Sequence, residues 1–483
     1  MRLMNPFEYY LEPAFWRENR GNSGIPSART AYGKVLSIAV PAVAETILIS
    51  LINSVDMMMV GTLGKQAISA IGLASQPRLI VLCFFTALNV GISALCARRR
   101  GEEKREEANE TLRTAMVVAL ALSAVLLLLS LALTVPLMKL AGGSEETQEN
   151  AYVLRDAGDY FSVIMYALPA QAIALAICAA QRGIGRTKIT FYVNVLSNLI
   201  NVVFNFLLIE GRWGFPRLEV RGAAIASDIG VVVGCVFALM TVTGKKNEKQ
   251  FLHVRRKDSW RPQRETLAGI LKIGGNAMIE QIGMRIGFFI CGRIYFLLGT
   301  TKFAAHQIGM QILNLTFSFG DGLAVAATSL VGRNLGKKRP DLAVMYGKIC
   351  QRCAVIVSLF ILVLFISARE AIVRLYINGD TQDAAAVIDT AARTLVVLAF
   401  VQPFQINAFT VAGGLRGAAD NLFVAVVASV CVTLVRPLMA YTAVYLLHLD
   451  LPAVWIMANS EMMIRCALFY PRFVSGKWAN KKI

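Results

Sequence analysis

Long apolar runs alternate with short polar connections along most of the chain. Runs near the ~20 residues that cross a bilayer as a helix fall at about 35–60, 67–96, 114–138, 152–179, 189–209, 222–243, 267–298, 303–331, 349–373, 386–412, 421–446 and 452–470. The fourth and twelfth carry the weakest signal. Backbone polar groups inside lipid must be satisfied within the segment, so each run is predicted to be an α-helix. The pattern predicts an all-α membrane protein with twelve transmembrane helices. One long polar connection, GKKNEKQFLHVRRKDSWRPQR at 244–264, lies at mid-chain. The expected organisation is a cytoplasmic N-terminal segment (1–34), a six-helix lobe (35–243), a basic cytoplasmic linker on anionic lipid (244–265), a second six-helix lobe (266–471) and a basic cytoplasmic tail (472–483). Within the first segment, Asn5–Arg20 reads as a short interfacial stretch or a tail.

The two lobes echo each other. Leu63-Gly64 recurs as Leu298-Gly299, Ala70 as Ala305, and Gly101 with Ala108 as Gly336 with Ala343, all 235 residues apart. Pro169-Ala-Gln171 with Arg182-Gly183 recurs as Pro403-Phe-Gln405 with Arg416-Gly417, all 234 apart. Six helices per half bring both halves in from the same side, so the predicted relation is a pseudo-two-fold axis along the membrane normal, a repeat geometry used by secondary transporters.

Composition agrees with the pattern: 56% of the 483 residues are hydrophobic and the mean hydropathy is +0.56. The formal charge of +18 does not indicate nucleic-acid binding, because the basic residues sit between apolar runs rather than on a polar domain. About 32 Lys and Arg fall on the side of the two termini and about 8 on the other. By the positive-inside rule both termini are expected in the cytoplasm of a cell whose inner or plasma membrane holds the chain. The first long run starts near Val35 and exceeds a signal h-region, so no cleavable leader is expected.

The sequence points away from catalysis. There is no GxxxxGK[ST], HExxH or GxSxG, so neither ATP binding nor hydrolysis is expected. The three histidines, His253, His306 and His448, are far apart. Cys350 and Cys353 form an isolated CxxC, read as small apolar helix residues. No cofactor is expected; the power source is read as an ion gradient.

Ionisable and amide groups within the runs are the candidate chemistry. Asp56, late in the first run, can exchange a proton or, as a carboxylate, bind Na+ with neighbouring oxygens; the alternative is a cap near the helix end. Pro41 precedes it and removes one helix hydrogen bond, permitting a bend; Glu45 is a weaker candidate. Asn194, Asn198, Asn201 and Asn205 share one face of the fifth run, to line a cavity, hold a cation or hydrogen-bond between helices. Ser227 and Asp228 follow in the sixth. Glu280 in the seventh is read either as a protonatable acid or as half of a salt bridge with Arg285. For His306, Gln307, Gln311, Asn314, Gln402, Gln405 and Asn407 ordinary packing is at least as good a reading, and Met57, Met58 and Met59 read as core.

Taken together, VDMMMVGTLGKQAISAIGLA (55–74), GAAIAS (222–227), LGTTKFAAHQI (298–308), ATSLVGRNLG (327–336) and GGLRGAAD (413–420) resemble the multidrug and toxic compound extrusion (MATE) family over about residues 35–475. The resemblance implies two six-helix lobes around a central cavity. It also implies export of amphiphilic, often cationic organic compounds by antiport against H+ or Na+. By position, Pro41 and Asp56 match the family's kinking proline and first-helix acid, Asn201 a polar ligand, Ser227 a frequent Thr, and Glu280 the seventh-helix acid. Two departures matter: Asn205 and Gln405 stand where other members carry Asp, and Asp228 is the candidate replacement for the fifth-helix charge. The expected ion and substrate set is therefore Asp56, Glu280, Asn201, Asn205, Ser227, Asp228 and Gln405, with Na+, if used, at Asp56, Asn201, Asn205 and Ser227. Expected partners are small organic molecules and membrane lipid, with the chain as a monomer. The alternative is a lipid-linked or polysaccharide flippase of related architecture, whose first lobe should carry several deep cations; Arg78 is the clear one here.

Overall fold

A computed structural model describes residues 25–61, 63, 65–141, 148–244, 250–255, 257–296, 298, 300–376, 382–476 and 478. The stretch Asn5–Arg20 and the end of the basic tail lie outside the described residues. Regular structure among the described residues is helical throughout. The first half contains α1 (Ala28–Gly61), α2 (Lys65–Gly101), α3 (Arg105–Ala132), a short α4 (Thr134–Leu140), α5 (Gln148–Tyr166), α6 (Leu168–Gly183), α7 (Thr187–Leu208) and α8 (Glu219–Val242). The second half contains α9 (Arg264–Phe296), α10 (Thr300–Gly336), α11 (Pro340–Ser367), a short α12 (Arg369–Arg374), α13 (Gln382–Gly417), α14 (Asn421–Val430), α15 (Arg436–Tyr441) and α16 (Leu451–Val474).

These helices form the twelve passages that the apolar runs predict. Among the described residues, nine are long and apolar enough to cross a membrane, and the bent pair α5–α6, taken as one span, makes a tenth. That pair, the fourth passage, bends by 52° where Pro169 opens α6; proline has no N–H to continue the ladder and suits a helix start. The eleventh passage, Asn421–Leu446, carries α14 and α15 with π-turns at Cys431–Val435 and Thr442–Leu446. The remaining two, α9 and α16, carry charged residues well inside the helix, with Lys272, Glu280, Arg285 and Arg293 in one and Glu461, Arg465 and Arg472 in the other. Outward-facing apolar side chains such as Leu128, Phe289 and Phe360 are more than two-thirds exposed (69%, 68% and 68%), as lipid-facing residues are.

The chain divides into two compact units, Ala44–Gly275 and Met1–Val43 with Asn276–Ile483. The units do not begin where the spans begin, because α1 and α9 are each divided. Hydropathy marks where a span lies, not which neighbours it packs on. The first part of α1 packs on α10, where Gly322 lets the Ala39 carbonyl approach to 3.2 Å of a would-be Cβ. In the other unit the first part of α9 packs on α2, where a Cβ on Gly274 would meet the Ala87 carbonyl at 3.2 Å. The two contacts are the same contact displaced by the repeat, since 39 and 87 become 274 and 322.

Each unit has its own apolar core. Phe85, Ile92, Leu112, Met138, Phe161 and Met165 are buried in the 44–275 unit, and Tyr295, Trp455, Phe469, Phe473 and Trp478 in the other. The basic linker is not simply solvated: Leu252 and Val254 enter the first core, Val254 N donates to Val242 O at 2.8 Å, and Asp258 pairs with Arg113 at 3.0 Å. Outside the spans, Lys302 donates to Asp450 at 2.8 Å and holds that carboxyl below its usual range.

Small residues let membrane helices approach closely, and the repeat uses the same one in both halves. A Cβ on Gly183 would lie 2.4 Å from Ser93 O, and one on Gly417 2.4 Å from Thr328 O. Gly183→Ala and Gly417→Ala should each lower the melting temperature of the detergent-purified protein: overpacking costs ~1–3 kcal/mol, against the ~1 kcal/mol alanine gains in a helix. Gly72→Ala, with nothing within 4 Å of its Cβ, should not. Equal melting of all three contradicts the close approach.

Candidate ion and substrate site

Helix α7 supplies one wall of the site. A Cβ on Gly230 of α8 would sit 2.5 Å from Ser197 O, and Ser197 Oγ donates to Gly230 O at 2.8 Å. This close α7–α8 packing sets Ser227, about one turn before Gly230, opposite Asn201. Asn205 lies one turn beyond Asn201 and donates through Nδ2 to Asp56 Oδ1 at 2.8 Å. With its amide nitrogen toward Asp56, Asn201 donates to the carboxylate oxygens at 3.0 and 2.8 Å, while its carbonyl accepts from Ser227 N and Oγ at 3.1 and 3.0 Å. In the reverse orientation Asn201 Nδ2 donates to Ser227 Oγ at 3.0 Å and its oxygen faces Asp56. The two ends of an amide differ only in which donates, so the first arrangement answers a carboxylate and the second a protonated acid or a cation.

These residues line a cavity of about 560 Å³ within the 44–275 unit, together with Asn194, Asn198, Gln171, Tyr160 and Arg78. All four asparagines of the α7 face reach it. Among the described residues no group of three His, Cys, Asp or Glu is arranged for a metal. The Asp56 set is instead one carboxylate with amide and hydroxyl oxygens, the donor type of a hard cation. Asn205 Oδ1 is buried and accepts no hydrogen bond among the described residues, which fits a cation or an acid proton beside Asp56.

Two buried acids have a different environment. Glu45 accepts from Arg182 Nη1 at 3.1 Å, Thr190 Oγ1 at 2.6 Å and Asn194 Nδ2 at 2.7 Å. Glu280 accepts from Arg416 Nη2 at 2.5 Å. The pairs are repeat mates: 45 and 280 differ by 235, and 182 and 416 by 234. Of the two readings of Glu280, the salt bridge is present but its partner is Arg416, not Arg285, because five residues place Glu280 and Arg285 about 140° apart around the helix. Arg182, Thr190 and Arg416 were not read as functional from sequence, although applying the repeat offset to Glu45 and the Arg-Gly pairs locates both ion pairs. Asp321 on α10, also missed, is an electrostatic neighbour of Arg416 and Glu280.

The structure thus brings Asp56, Asn201, Asn205 and Ser227 together and places the other candidates elsewhere. Asp228, about 100° around α8 from Ser227, is not among the cavity's lining residues but is an electrostatic neighbour of Arg78. Glu280 and Gln405 belong to the other unit. Gln405 is buried with neither amide atom hydrogen-bonded among the described residues, whereas its repeat mate Gln171 lines the first cavity. That second unit holds its own buried polar group: Arg465 pairs with Glu461 at 2.6 Å, Arg436 lies 3.6 Å from Glu461, and Trp455 Nε1 donates to His306 Nδ1 at 3.2 Å.

A family model described as MatE matches the chain twice, over residues 41–207 and 277–442. The chain belongs to the MatE family. The two matches fall on the two halves of the repeat. Among relatives of this MatE chain, one named probable multidrug resistance protein NorM, from Thermotoga maritima, is 26% identical over 453 residues, spanning 93% of this chain and 94% of that protein. An uncharacterized transporter, YisQ, from Bacillus subtilis is 24% identical over 92% of this chain and 95% of its own length. Two solved structures share the fold at 19% identity. One is an outward-facing multidrug resistance MATE family transporter of the MOP superfamily, with a TM-score of 0.83 over 92% of this chain and 97% of that one. The other is a MOP superfamily transporter from Pyrococcus furiosus, with a TM-score of 0.84 over 94% and 97%.

Breaking a buried ion pair by removing one partner costs ~3–5 kcal/mol. Arg182 and Arg416 are 23% and 22% exposed, which screens the stranded charge and sets the expectation at the lower end. Glu45→Ala, losing three hydrogen bonds, should melt lower than Glu280→Ala. Adding Arg182→Ala to Glu45→Ala should recover part of the loss. No recovery in the double variant contradicts the pairing.

Proposed function

We propose that this MatE transporter exports amphiphilic, often cationic organic compounds from the cell, as a multidrug efflux antiporter driven by inward H+ or Na+. The observation that carries the reading is Asp56: a half-buried carboxylate on a membrane helix, answered by amides, facing a cavity within the ~300–1,000 Å³ typical of small-molecule sites. In the ion-free state the Asn201 and Asn205 amides donate to the carboxylate, and a cationic substrate completes its neutralisation. When a proton or Na+ takes the carboxylate, the charge that held the substrate is gone, the Asn201 amide turns, and the substrate leaves outward. Ion release to the inside then resets the site. Ion and substrate exclude each other because they neutralise the same charge.

Helix α1 can transmit that exchange. Pro41 lies two residues before Val43, where α1 passes from one unit to the other, and it leaves the Ser37 carbonyl without its helical donor. The corresponding place in α9 is marked by Gly274 and Gly275. Both unit-crossing helices are therefore weakened where a change of angle between their halves is needed. The basic bias of one side supports cytoplasmic termini and the plasma membrane as the site of action. A flippase for an anionic lipid-linked sugar is less well supported, since Arg78 is the basic residue among the cavity's lining residues.

Proteoliposomes loaded with a cationic dye test the reading. A ΔpH alone or a Na+ gradient alone should drive efflux; Asp56→Asn should reduce it to the protein-free rate while leaving expression and melting temperature near wild type. Full efflux by Asp56→Asn, or efflux indifferent to both gradients, rejects the coupling role.

A further inference from the structure

The second unit buries more positive than negative charge in one place. Arg436, Arg465 and Glu461 are 1%, 5% and 0% exposed. Arg465 takes the carboxylate, its Nε donating at 2.6 Å and its Nη2 at 3.3 Å. Arg436 Nη1 stands 3.6 Å from that carboxylate without a hydrogen bond to it. Its Nη2 donates to Asn459 Oδ1 at 3.2 Å, and the Phe288 ring lies against its face at 4.8 Å. This leaves Nε and Nη1 buried without an acceptor among the described residues. Tyr295 Oη, likewise buried and unpartnered, is an electrostatic neighbour of Arg436, as is Cys291. His306 accepts from Trp455 through Nδ1 and so adds no negative charge. Among the described residues Glu461 is the only carboxylate within ion-pair distance of either arginine. Two guanidiniums against one carboxylate leave a positive charge over, where burial makes an unpaired charge costly.

The repeat gives this place its meaning. The offset of 235 carries Asp56 to Cys291. A π-turn holds one residue more than an α-turn, so the one at Cys431–Val435 raises the offset of 234 at the Arg-Gly pairs to 235 and carries Asn201 to Arg436. Where the first unit sets an amide against a carboxylate, the second sets a guanidinium beside a thiol, and the polarity is reversed. Gly287 lets α9 lie against the Val432 carbonyl of the π-turn. Phe288, Cys291 and Tyr295 follow at spacings of three and four, on one face of α9. We infer that the second unit binds a small monovalent anion, chloride in size and charge, between Arg436 Nε and Nη1 and Tyr295 Oη. A single negative charge matches the excess, and a halide accepts from N–H and O–H donors alike. The inference does not rest on the export reading or on the Asp56 cavity.

The test melts the full chain in detergent, followed by intrinsic fluorescence, while gluconate is exchanged for chloride at constant Na+ and ionic strength. The melting temperature of wild type should rise saturably with chloride. Bromide should replace it and give an anomalous-scattering peak in contact with Arg436 and Tyr295 in a bromide crystal. Tyr295→Phe removes a donor and no charge, and should raise the half-saturating chloride concentration about tenfold, as loss of a hydrogen bond to a charged group does. Arg436→Gln removes the excess charge and should melt at the same temperature in both media; if it does not fold, Tyr295→Phe carries the test. Equal melting of wild type in chloride and gluconate overturns the inference. A chloride effect unchanged in Tyr295→Phe, or persisting in Arg436→Gln, overturns it equally, because the halide then sits elsewhere. A chain that binds chloride in this way yet exports nothing refutes the export reading alone.

Discussion

A carboxylate on a membrane helix has to be answered by the protein, because lipid offers neither counter-charge nor hydrogen bonds. This chain answers its helix acids in two ways. Glu45 and Glu280 each receive a guanidinium, and the pairs occupy the same place in the two halves of the repeat. Asp56 receives amides from Asn201 and Asn205 and no guanidinium within ion-pair distance among the described residues. A guanidinium neutralises a carboxylate and stays. Amides solvate one and leave its charge to be neutralised by something that can depart. In the proposed reading, the difference separates two acids that hold helices together from one that exchanges an ion for a substrate.

The repeat explains why a local exchange can have a wider effect. Each half donates the start of its opening helix to the other unit, through the matched contacts of Ala39 with Gly322 and Gly274 with Ala87. A ligand shifts a conformational equilibrium only by its differential affinity for the states. Asp56 lies on the same continuous helix as Pro41, so in the proposed reading neutralising its carboxylate acts on an element that belongs to both units. The glycines at 183 and 417 show the opposite use of the same repeat, fixing helices within each unit at backbone contact.

What the sequence made legible follows from what periodicity encodes. Apolar run length marks twelve spans, including the fourth, whose weak signal reflects Arg155, Asp156 and Asp159 in its first part. Spacings of four, three and four placed Asn194, Asn198, Asn201 and Asn205 on one face, and all four reach the cavity. Contacts between distant helices were less legible. The partner of Glu280 is not Arg285 on its own helix but Arg416, 136 residues away; the repeat offset held that information, while local spacing pointed elsewhere. The division of α1 and α9 between units left no mark in hydropathy, because a span is equally apolar whichever bundle it packs on. Leu252 and Val254 of the linker were likewise hidden among basic neighbours.

The claim that Asp56 is shared by ion and substrate is tested most directly by what substrate binding expels. Adding a cationic dye to purified protein in weakly buffered medium should release about one proton per molecule bound, or, in Na+ medium with a tracer, about one sodium ion, and Asp56→Asn should abolish that release. Saturable dye binding to wild type with neither ion released, or release that persists in Asp56→Asn, would contradict the account.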